Sequence, residues 1–236
     1  MWRYANPYYF MRISRVLTPI FGGMALLSGC IGVVWSLFFT PEDFRQADAV
    51  RIMFIHVPSA FMSTGIYTIM AVSSFCALIW RHVLADVAAR CCAPLGCLFT
   101  FLTLITGAIW GKPIWGAWWV WDARLTSIFI LSFVYIGYMA LRNAVNQHPA
   151  AMRVTAIYCL TGAIMVPIIK YSVYWWRTLH QPASLTFGGE GNLHSSFFLP
   201  LLMMIFAFSC MSAFILLVSI RREIRMNRIK FIQASG

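Results

Sequence analysis

Two residue types carry most of the chemistry this chain could do. Five of its ten tryptophans crowd into Trp110-Gly-Lys-Pro-Ile-Trp115-Gly-Ala-Trp118-Trp119-Val-Trp121, followed at once by Asp122-Ala-Arg124, and five histidines stand at His56, His82, His148, His180 and His194. Indole faces offer large apolar contact at little conformational cost. A membrane-interface belt needs only an occasional ring at each helix end, so the cluster exceeds what anchoring requires. Trp115, Trp118, Trp119 and Asp122 follow helical spacing. A short surface helix here would present three indoles and a carboxylate on one face. That shelf suits a planar, largely apolar ligand with a few charged groups, a porphyrin better than a sugar, an ion or a peptide.

Imidazole is the commonest metal ligand among side chains. His56 lies in Ile55-His56-Val57-Pro58 and His180 in Thr178-Leu179-His180-Gln181. One ring from each would fill the two axial positions of a haem iron whose edge rests on the tryptophans. His194, in a glycine-rich stretch, is the competitor, and His82 and His148 fall in solvated connections on the opposite side. Lys112, Arg124, Arg51 and Arg177 are candidate partners for the carboxylates of such a ligand. Asp122 either orients Arg124 or caps the helix that follows.

Positioning these groups falls to a membrane fold. Of 236 residues, 61% are hydrophobic and 11% charged, with a mean hydropathy of +0.75. A soluble domain of this size is about half apolar and a quarter charged. Runs that carry at most one charge, at 16–39, 52–80, 91–111, 125–141, 154–176 and 197–220, are each long enough to cross about 30 Å of hydrocarbon. The first reads as a retained helix, not a cleaved signal. Lys170, the one charge in the fifth, snorkels outward. The expectation is an all-α integral membrane protein with six transmembrane helices in one domain, 1–236, both termini on the same side.

The net charge of +11 then becomes a topology signal instead of a sign of nucleic-acid binding. Twelve of the eighteen basic residues, from Arg3 through Lys230, fall on the side of the termini, which is therefore cytoplasmic. The Trp-rich segment between helices 3 and 4, residues 110–126, then faces the periplasm, and the basic run from Arg221 to Lys230 meets membrane lipid. Gly111, Pro113 and Gly116 are expected to interrupt the third helix. Seven cysteines, without any C-x-x-C, read as packing residues and exclude a c-type cytochrome or a thiol carrier. The chain lacks G-x-x-x-x-G-K-[ST], so ATP used in its work must be hydrolysed elsewhere.

The string WGKPIWGAWWVWDARLT resembles the tryptophan-rich signature, the WWD domain, of the haem-handling proteins of cytochrome c maturation. Length, six spans and flanking histidines resemble, over essentially the whole chain, the family of heme exporter protein C. The resemblance implies b-type, non-covalently bound haem, axial ligation by the histidines of I-H-V-P and T-L-H-Q, here His56 and His180, and a platform of Trp110, Trp115, Trp118, Trp119 and Trp121 with Lys112, Asp122 and Arg124. It further implies a non-enzymatic subunit of the bacterial inner membrane or its mitochondrial equivalent. Its expected partners are a periplasmic haem chaperone (CcmE-like), an ABC-type ATPase (CcmA-like) and two membrane subunits (CcmB- and CcmD-like). The residues alone also admit a b-type electron-transfer membrane subunit, whose histidines should lie at depth on facing helices. A channel or secondary transporter would carry intramembrane charges or inverted repeats.

Overall fold

The computed structural model describes residues 6–145, 148, 150–176, 180 and 194–235. Arg177, the neighbours of His180 and the glycine-rich stretch before His194 lie outside the described residues. Each helix begins where the chain supplies a cap or a turn. Asn6 accepts the Tyr8 N–H at 2.9 Å and Pro7 opens α1 (Pro7–Phe38). A turn of 3₁₀ helix (Asp48–Ile52) leads into α2 (Met53–Trp80). Arg81, in the left-handed region at φ 51°, and His82, which accepts the Ala85 N–H, turn the chain into α3 (Val83–Trp115). Asp122 caps α4 (Ala123–Ala144). The fifth span is two pieces, α5 (Ala151–Gly162) and α6 (Met165–Trp175), and α7 (Ser195–Ser235) closes the fold.

Six spans, counting α5 and α6 as one, are long and apolar enough to cross a membrane, as the composition predicts. Apart from an isolated bridge between Asp43 and Ala47, the described residues form helices, turns and loops. The helices outrun the apolar segments. The third begins at Val83 instead of 91, and the last continues to Ser235, because a charged residue ends a hydrophobic run without ending a helix. Gly111 and Pro113 do not interrupt α3; the helix ends only at Gly116, whose φ of +76° terminates it.

α2 and α3 form the central pair, with α4 and α5 packed on them; α1 lies against α7, which joins through α2 and α3. Ile66, Tyr67, Met70, Phe99, Leu131, Tyr135 and Tyr138 fill the middle, each at most 2% exposed. Side-chain pairings separate the bundle's two ends. At one, Arg142 of α4 grips Asp86 of α3 through two bonds of 2.9 and 3.0 Å and reaches Thr155 of α5, while Arg90 bridges Asp86 to Glu223 of α7. Arg221 of α7 donates there to the Met11 carbonyl and Ser14 hydroxyl of α1. At the other end meet the first turns of α2, the last turns of α3, the start of α4 and His180.

Candidate functional site

His56 occupies the first turn of α2 and faces the last turns of α3. Its Nδ1 lies 3.1 Å from the Thr106 hydroxyl. Thr106 spends its one proton on the Leu102 carbonyl at 2.6 Å, so its oxygen accepts and the imidazole donates. Nδ1 therefore carries the proton and Nε2 the lone pair. Gly107 makes this contact achievable: a Cβ there would sit 3.0 Å from His56 Cε1. Trp110, one turn on, stands edge-on to the ring with centroids 5.5 Å apart, and is itself fixed by its Nε1–H donating to Gln46 Oε1 at 2.9 Å.

His180 lies five residues beyond the end of α6. Its Nδ1 donates to Asp122 Oδ2 at 2.8 Å, while the other oxygen of that carboxylate accepts the Leu125 N–H at 2.7 Å and caps α4. Asp122 is 7% and His180 19% exposed by side chain. The carboxylate again directs the proton to Nδ1 and the lone pair to Nε2. Trp115 meets this ring edge-on at 5.0 Å, folding back over Gly111, where a Cβ would crowd its ring at 2.9 Å. His56 lies within electrostatic reach of both His180 and Arg124. Each imidazole is thus held by a hydrogen bond at Nδ1 and flanked by an indole, the outer-shell arrangement that orients metal-binding histidines.

The tryptophans do not form one helical shelf. Beyond Gly116 the chain is bent and extended as far as Asp122, so the i, i+3, i+4, i+7 spacing that would put Trp115, Trp118, Trp119 and Asp122 on one face has no helix to act on. Trp110 and Trp115 serve the two histidines. Trp119 packs edge-on against Trp121 and Phe129 of α4 at 5.4 and 5.6 Å, and its buried Nε1–H has no hydrogen-bond acceptor among the described residues. Trp118 and Trp121 are 58% and 76% exposed.

The basic candidates divide as well. Lys112 donates to the Gly116 carbonyl at 3.1 Å, closing the end of α3, and lies over the Trp118 ring at 5.9 Å. Arg51 pairs with Asp48 at 3.2 Å. Arg124, in the first turn of α4, interacts electrostatically with Asp122 and Tyr174. His194 turns out to be a helix-start residue: its Nδ1 bonds the Ser196 hydroxyl at 2.8 Å and its carbonyl accepts the Phe197 N–H. Lys170 is exposed, with Nζ 5.7 Å from the Tyr171 ring. Sequence reasoning missed Gln46, Thr106 and Gly107. The signal was present in Thr103-Leu-Ile-Thr106-Gly107, a polar and small interruption of an otherwise apolar run.

Fold and site together define a multi-pass helical membrane protein with two oriented imidazoles at one end of the bundle. The family model described as Heme exporter protein C matches residues 1–235. A heme exporter protein C of Bradyrhizobium diazoefficiens is 45% identical over 229 residues, covering 97% of this chain and 87% of the relative. That of Haemophilus influenzae is 42% identical over 228 residues, covering 95% and 93%, and that of Escherichia coli K12 43% identical over 194 residues, covering 82% and 78%. The chain belongs to the heme exporter protein C family.

Proposed function

We propose that this chain is the haem-handling membrane subunit of a cytochrome c maturation system. It holds haem as cargo at the periplasmic face of the inner membrane, between His56 and His180, and yields it to a small periplasmic haem chaperone. The observation that carries the reading is the pair of imidazoles, each tied at Nδ1, one by Thr106 and one by Asp122, so that Nε2 is the nitrogen of each that would meet an iron. Among the described residues, His, Cys, Asp and Glu do not gather in threes as an all-protein metal site would require. Two imidazoles alone suit an iron that brings its four equatorial donors with it, and a porphyrin does so.

Other features fit the same cargo. The Trp119 N–H, a buried donor without an acceptor among the described residues, would be satisfied by a propionate, and Arg124, in the first turn of α4, supplies a cation at the same end of the bundle. Trp118 and Trp121 present exposed indoles to a docking protein. The basic end, with Arg12, Arg15, Arg222, Arg225 and Arg228 exposed, is assigned to the cytoplasm by the positive-inside rule. There the chain would meet the ABC-type ATPase with its companion membrane subunits, which hydrolyse ATP on its behalf.

The test is spectroscopic. Protein purified in detergent should show a six-coordinate, low-spin haem spectrum, and adding the apo chaperone should draw the haem away. His56→Ala and His180→Ala should each convert the spectrum to a five-coordinate one or abolish it. An unchanged spectrum removes that residue from the ligand set, and haem that never leaves for the chaperone favours a b-type electron-transfer subunit instead.

A further inference from the structure

The break in the fifth span stands out in a bundle otherwise built of continuous helices. Pro167 has no N–H to offer the Ala163 carbonyl, and Val166 N–H bonds that carbonyl instead at 3.1 Å. One step earlier, the Ala163 N–H turns to Leu160 at 3.2 Å. The Cys159 carbonyl is thereby released from the helix at a depth where water does not reach, and such a group must find a partner. It accepts the hydroxyl of Tyr67 from α2 at 2.9 Å. Tyr67 is 0% exposed, backed edge-on by Tyr135 at 5.1 Å. Gly162 at the bend makes the approach feasible, since a Cβ there would overlap the hydroxyl.

Beyond the break, α6 runs 11 residues to Trp175, and His180 lies five residues further on. Eleven residues make a lever of about 16 Å, so a change of about 10° in the bend moves its far end by about 3 Å. The His180 to Asp122 bond of 2.8 Å tolerates a fraction of that before it ceases to be a hydrogen bond.

We propose that Tyr67 is a positioning residue for His180: by holding the carbonyl that the break releases, it fixes the angle at which α6 leaves the bundle and so where the imidazole meets Asp122. The proposal rests on the reading of His180 as a haem ligand, and the fifth span is then a hinged arm that carries one ligand while His56 stays on the rigid α2 and α3 pair. Two substitutions act on the hinge without emptying the core. Tyr67→Phe keeps the ring and deletes the hydroxyl. Pro167→Ala restores an N–H to the Ala163 carbonyl and lets the helix straighten.

Hydrogen exchange in the haem-free protein reads the bend, and the visible spectrum of the haem-loaded protein reads the ligand. Tyr67→Phe should exchange at least tenfold faster across residues 160–170, and Pro167→Ala more slowly. Both should shift haem from six- towards five-coordinate with His56 retained, and added imidazole should restore the six-coordinate spectrum. Unchanged exchange in Tyr67→Phe, spectra unchanged in both variants, or a spectral change that imidazole does not repair would each overturn the proposal. His180→Ala without spectral effect would reject the ligand reading itself, and the exchange result would then decide whether Tyr67 still holds the bend.

Discussion

Asp122 performs two tasks with two oxygens, and Asp122→Asn separates them. Oδ1 accepts the Leu125 N–H at 2.7 Å and starts α4, while Oδ2 accepts Nδ1–H of His180 at 2.8 Å. Asparagine caps helices as well as aspartate does, so the first task survives if the amide oxygen stays on Leu125. The amide nitrogen then faces Nδ1 and can only donate. The imidazole must move its proton to Nε2, which removes the lone pair that the proposed iron ligation needs. Turning the amide around rescues the tautomer and loses the cap, at about 1 kcal/mol, and the charge assistance is gone either way. Losing such an outer-shell partner costs about 10- to 100-fold in metal affinity, or about 1.4 to 2.8 kcal/mol. The flip limits Asp122→Asn to the lower half of that range, so about tenfold weaker haem retention is expected with little change in melting temperature. Asp122→Ala, which loses cap and partner together, should weaken haem toward 100-fold and also destabilise the protein by about 1 kcal/mol. Haem titration followed at the Soret band, with thermal unfolding in the same detergent, measures both quantities. Equal haem affinity in Asp122→Asn and the native protein would refute the reasoning.

How much of this was legible in the residues depends on which physical rule wrote it. The six spans were, because hydrocarbon excludes charge and the gaps between charges mark the crossings. The helix ends were not, since α3 gains its first turns from the His82 cap and keeps its last ones through Gly111 and Pro113. His56 and His180 could be named as candidates from their place in the topology. Their Nδ1 partners could not, because Thr106 is fifty residues from one and Asp122 fifty-eight from the other, and tertiary contacts of that separation leave no local periodicity. The tryptophan shelf failed for a local reason. Spacing of three and four reports a face only if the backbone is helical, and Gly116 at positive φ ends the helix just where the pattern begins. Pro167 was visible as a residue, but the Tyr67 hydroxyl that meets the carbonyl released at its break was not, because the two lie 92 residues apart.

Gly107→Ala adds a Cβ 3.0 Å from His56 Cε1 in a helix that prefers alanine to glycine. Haem binding should weaken while the melting temperature holds or rises by the equivalent of about 0.5 to 1 kcal/mol, and a parallel fall of both would show that the contact is not specific to His56. At the opposite end, Arg142→Gln leaves Asp86 buried with, among the described residues, the 3.4 Å contact to Arg90 as its one remaining ion pair. Unfolding measurements should show a loss of about 3 to 5 kcal/mol, relieved in part by Asp86→Asn in the same chain, with the haem spectrum of the folded fraction unchanged. The two proposed axial positions should also respond differently to added imidazole. The His56 position is enclosed by Thr106, Gly107 and Trp110, so a ring missing there leaves a hole whose walls are fixed by α2 and α3 packing and by the Gln46 bond. The His180 position lies five residues beyond the end of α6, bounded by Trp115 and by the Asp122 carboxylate that His180 bonds in the native chain and that an incoming imidazole would bond in its place. Imidazole titrated into His180→Ala should therefore restore the six-coordinate spectrum at lower concentration than into His56→Ala. Equal midpoints would mean that both ligands sit in equally open positions, and the division into a fixed ligand and an arm-borne one would fall.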